Sequence, residues 1–76
     1  MALMVVENQL RHEAYAKIQR LHDKGITEPG IILNKLYAVR KSGAIKMAMK
    51  LGGIKPEDFD RMMREELENY KKEQTK

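Results

Sequence analysis

The sequence predicts an all-α chain folded as a small orthogonal bundle of four helices. Apolar residues recur at helical spacing along most of it, and no run of alternating β-branched residues argues for a strand. Glycine, proline and hydroxyl-bearing residues fall where four helices would start and stop. With 76 residues the chain is read as one domain spanning 1–76. A domain of that size buries only about 60% of the surface its unfolded chain exposes. Cysteine is absent, which excludes disulfide staples and thiolate metal sites. Small domains without staples often gain core by self-association, so a homodimer is one option.

In the first helix Val6, Leu10, Ala14, Ile18 and Leu21 share one stripe, and Gly25 supplies the stop, with Ile26 folding back. Whether residues 1–6 are helical or form an extended arm is left open. Thr27 is expected to cap the second helix, with Glu28 and Pro29 in its first turn. Its inner face is Ile32, Leu36 and Val39, flanked by Leu33. Ser42 and Gly43 end it, and Ser42 also caps a third helix over 44–51. That helix is apolar over most of its circumference, apart from Lys46 and Lys50. Deep burial with a narrow basic exposure is therefore expected.

Gly52 and Gly53 break the third helix, and Pro56 opens a fourth. Glu57 and Asp58 complement its positive N-terminus, and Ile54 with Phe59 suits a hydrophobic staple. Glu57 with Arg61, Asp60 with Arg64 and Glu68 with Lys72 are spaced for ion pairs along it. Residues 71–76 are expected to fray.

Residues 48–59, A-M-K-L-G-G-I-K-P-E-D-F, resemble a helix-turn-helix: a small residue, a turn glycine, then an apolar residue opening the second helix. The resemblance covers under a third of the chain and implies DNA binding. The doubled glycine shifts the spacing by one residue. Glu57, Asp58 and Asp60 would also meet phosphates where a recognition helix normally meets bases. The contact surface is therefore expected on the middle of the chain instead.

From Pro29 to Pro56 there is no acidic residue, while Lys35, Arg40, Lys41, Lys46, Lys50 and Lys55 are all basic, within a net charge of +4. A block without counter-charges keeps its positive field and attracts polyanions. These six, with Ser42, are the expected nucleic-acid-binding residues of a small DNA-binding, transcription-regulating protein. Proteins of this size and architecture resemble accessory regulators of phage, plasmid or bacterial genomes. The plain alternative is a solvated surface that keeps a small protein soluble.

The competing function is a protein-interaction module that engages an acidic or helical partner: an adaptor, inhibitor or assembly factor. Its interface would be Phe59, Met62, Met63, Leu67 and Tyr70, although methionines on helical faces more often fill cores. Glu66 projects amid these residues, so its turn either stays at the rim or meets a basic partner.

His12 and His22, ten apart, lie on different faces of one helix and cannot jointly ligate a metal. Ser42 lacks a His–Asp arrangement nearby in sequence, so no catalytic constellation is legible. No enzyme activity, cofactor, metal or small-molecule substrate is expected. The N-terminal apolar run stops at Glu7 without a basic start, and no uncharged run approaches the ~20 residues of a membrane span. A cytoplasmic location is the expectation.

Overall fold

The computed structural model describes residues 2–74 and contains four α-helices: α1 (Ala2–Asp23), α2 (Pro29–Ala38), α3 (Gly43–Gly52) and α4 (Pro56–Gln74). A 3₁₀ turn (Val39–Lys41) joins α2 to α3, and no strand occurs among the described residues. The all-α class follows directly. No helix among them is long and apolar enough to cross a membrane.

α1 packs against each of the other three helices, and α4 closes the bundle on α1 and α2. Phe59, Met62, Met63, Leu67 and Tyr70 on its inner face are all buried, against Leu10, Ala14, Ile18 and Leu21 of α1 and Ile32 and Leu36 of α2. The first and fourth stripes read from the sequence are thus the two largest walls of one core. This corrects the expected partner interface. Phe59, Met62, Met63, Leu67 and Tyr70 face inward because together they form the large apolar stripe of α4, which the α1 and α2 stripes need as a wall.

Both glycine stops act through backbone geometry. Gly25 takes φ +86° and Gly53 φ +67°, in the left-handed region that only glycine enters freely. Ile26 then donates its N–H to the Leu21 carbonyl (2.9 Å) and Ile54 to the Met49 carbonyl (2.9 Å), closing both helix ends. Gly52 has a different role: a Cβ there would lie 2.9 Å from Cγ1 of Val6, so only glycine lets α3 cross α1 this closely.

Several local expectations change. Thr27 does not cap α2. Proline pushes the residue before it into extended backbone, so Glu28 (φ −69°, ψ 119°) becomes the N-cap and Pro29 the first helical residue. The Glu28 side chain makes no cap bond; its carbonyl accepts from Ile32 N–H (3.0 Å). Ser42 does occupy the N-cap of α3, with its carbonyl rather than its hydroxyl engaged, by Lys46 N–H at 2.9 Å. Residues 71–74, expected to fray, continue α4; the last two of that tail lie outside the described residues. Of the residues 1–6 left open above, 2–6 are helical rather than an extended arm, and Met1 lies outside the described residues.

Charged side chains stitch α1 to α4. Arg11 donates from Nη1 to Glu66 (3.1 Å), from Nη2 to Glu65 (2.7 Å) and from Nε to Glu7 (3.1 Å). Partial burial lowers the Arg11 pKa, but the three carboxylates outweigh this and raise it above its ordinary value. The basic partner expected for Glu66 is therefore inside the chain. Tyr70 holds the far end, with the Tyr15 ring edge-on at 5.4 Å and the His22 ring at 4.7 Å.

The Tyr15 hydroxyl donates to Glu73, and this hydrogen bond is the main reason its pKa is pushed up to about 12. The folded state thus favours protonated Tyr15. Its contribution to stability is complete below pH 10, the ordinary value, and disappears as pH climbs through about 12. An alkaline absorbance titration should show Tyr15 ionising late. Glu73→Gln should bring that step down, and an unchanged step would contradict the contact.

Candidate functional site

The middle of the chain forms a groove between the 3₁₀ turn, α3 and the α3–α4 turn. Arg40, Lys41, Lys46 and Lys50 line it together with Met49, Ile54 and Pro56, around a volume of about 360 Å³. Four of the seven residues expected to bind nucleic acid therefore converge. The other three, Lys35, Ser42 and Lys55, are exposed but outside the lining. Helical geometry explains the convergence: Lys46 and Lys50 stand one turn apart on α3, and the 3₁₀ turn carries Arg40 and Lys41 to its N-terminal end.

The cations differ in their electrostatic surroundings. Nη1 of Arg40 lies 2.6 Å from Asp60 on α4, so that charge is already countered. Asp60 was expected to pair with Arg64 along α4. It turns instead to the guanidinium delivered across the bundle, and Arg61 reaches Asp58 (3.7 Å) and Glu65 (4.0 Å). Lys41, Lys46 and Lys50 have no carboxylate partner among the described residues. The groove therefore presents three uncompensated ammonium groups over an apolar floor.

The exposed side of α3 corrects another expectation. The helix was read as deeply buried, yet only Met49 and Gly52 are buried along it, while Met47 is 58% and Leu51 73% exposed. α3 lies at the edge of the bundle. α1 and the 3₁₀ turn cover its inner side, and no described element packs on the outer one. Around that outer side Lys46 and Lys50 give way directly to Met47 and Leu51, so a basic strip and an apolar strip run side by side. Periodicity reports that apolar residues want burial but does not say whether this chain provides it.

Among the described residues, no group of three or more histidine, aspartate or glutamate side chains is placed to hold a metal ion. His12 is exposed, and His22 lies against the Tyr70 ring. No protein-family model, curated protein or solved structure matches the chain.

Proposed function

We propose that this chain is a small protein-interaction module whose α3 face docks an acidic, amphipathic segment of a partner protein. The observation that carries this reading is the pairing on one helix of unpartnered Lys46 and Lys50 with exposed Met47 and Leu51. Burying a side chain of the Met47 or Leu51 type is worth about 1.5–3 kcal/mol. The lysines would steer and orient a segment of opposite charge. A partner helix with carboxylates on one strip and aliphatic residues on the next satisfies both requirements. The apolar floor of Met49, Ile54 and Pro56 favours such a segment over a phosphate backbone, which offers nothing to bury there.

Duplex DNA is the second reading, favoured by the acid-free stretch and the helix-turn-helix resemblance. Lys41, Lys46 and Lys50 would neutralise phosphates, and three such contacts imply a slope of about −2.7 in log affinity against log salt. α4 is not suited to enter a DNA groove, because its apolar face closes the core and acids open its outer face.

Anisotropy titrations with three labelled probes at several salt concentrations separate these readings. The probes are a Glu/Leu amphipathic helical peptide, polyglutamate and random-sequence duplex DNA. The amphipathic peptide should bind tightest. Lys46→Glu with Lys50→Glu should weaken it about a hundredfold, at roughly tenfold per reversed charge. Tighter binding of duplex DNA would transfer the function to nucleic acid, and no binding of any probe would remove both readings.

A further inference from the structure

Two arginines reach across the bundle to acids of α4, and they do so differently. Arg11 engages all three of its nitrogens: Nε with Glu7, Nη1 with Glu66 and Nη2 with Glu65. Its side chain is 25% exposed and every nitrogen is committed inside the fold. Arg40 engages one nitrogen. Both oxygens of Asp60 lie 2.6 Å from Nη1, while Nη2 and Nε have no partner among the described residues. The Arg40 side chain is 37% exposed, and it lines the docking groove beside Lys41, Lys46 and Lys50.

The Arg40–Asp60 contact is the weaker of two arrangements open to a guanidinium and a carboxylate. The stronger is a side-on fork, in which two nitrogens each donate to one oxygen. Nη2 and Nε of Arg40 are free, so a carboxylate from outside can form the fork that Asp60 does not. Asp60 stands one turn beyond Pro56 on α4, and Pro56 lines the groove, so the internal carboxylate sits at its edge. A pair this exposed contributes little to stability, and its exchange for another carboxylate costs correspondingly little.

We infer that Asp60 is a specificity-determining residue of the docking groove, an internal carboxylate that occupies Arg40 until a ligand carboxylate in the fork geometry replaces it. The inference rests on the α3 docking reading and divides the four cations of the groove into two sets. Lys41, Lys46 and Lys50 attract any acidic segment through their field. Arg40 responds only to a segment that brings a carboxylate to its own end of the groove. A segment acidic elsewhere meets the lysines alone and stays weakly bound.

The test is an anisotropy titration of the Glu/Leu peptide against the four proteins of a double-mutant cycle. Asp60→Asn keeps the size of the side chain and should tighten the peptide about fivefold by releasing Arg40, the upper end for an exposed pair. In the Arg40→Gln background the same change should gain less than about twofold, because no guanidinium is released. Glu57→Gln removes an equal charge from an exposed position three residues away and should also gain less than about twofold. A parent that binds the peptide with no gain in Asp60→Asn, or an equal gain in both backgrounds, would overturn this inference and leave the docking reading standing. A peptide that binds neither the parent nor Asp60→Asn would overturn both.

Discussion

Phe59→Ala should lower the free energy of unfolding by about 3–5 kcal/mol, the range for emptying a buried aromatic site. Phe59 is 1% exposed in the first turn of α4, where it joins the core shared by all four helices. At roughly 0.05–0.15 kcal/mol per residue, a domain of this size has about 4–11 kcal/mol in total. The substitution should therefore remove a large share of the total stability. Met47→Ala is the internal control. That methionine stands on the outer side of α3, and its removal should change stability by no more than about 0.5 kcal/mol. Urea denaturation of the two variants beside the parent checks this. A Phe59→Ala loss below about 1 kcal/mol would contradict the place given to Phe59 in the shared core.

Arg11→Ala is the second large effect, at about 2–3 kcal/mol. Breaking a fully buried ion pair costs about 3–5 kcal/mol, and partial exposure of Arg11 scales this down. The penalty comes from Glu66, only 9% exposed, which would keep a single 3.4 Å contact from Asn69 Nδ2. Glu7 and Glu65 are half exposed, so converting either to glutamine should cost less than about 1 kcal/mol. The decisive variant combines Arg11→Ala with Glu66→Gln. Removing the stranded charge should recover most of the loss, and additive losses would show that Glu66 is not the group Arg11 serves.

Sequence spacing carries the architecture because each helix has a local start, stop and stripe. Gly25 and Gly53 end α1 and α3 by a property of glycine alone, and Pro56 opens α4 for an equally local reason. The stripes of α1 and α4 were legible because Leu10, Ala14, Ile18 and Leu21 need a wall, and Phe59 to Tyr70 supplies a large one. What spacing does not carry is how surface is divided between elements. The apolar residues of α3 look alike in sequence, yet Met49 is buried while Met47 and Leu51 face outward, because coverage depends on neighbours distant in the chain. The Arg40–Asp60 and Arg11–Glu66 pairs, 20 and 55 residues apart, were hidden for the same reason, although Glu66 within an apolar stripe signalled that a cation was needed. The convergence of Arg40, Lys41, Lys46 and Lys50 was legible because Lys46 and Lys50 stand one turn apart and Arg40 and Lys41 lie at the turn leading into the same helix.

The docking of an acidic, amphipathic segment on α3 is tested most directly by mapping amide chemical shifts as the Glu/Leu peptide is added to the isotopically labelled chain. Perturbations should concentrate on Arg40, Lys41 and the stretch from Lys46 to Ile54, sparing the outer face of α4, and should vanish in the Lys46→Glu, Lys50→Glu variant. Shifts centred on α4, or the same shifts surviving charge reversal, would contradict the assignment of α3 as the binding face.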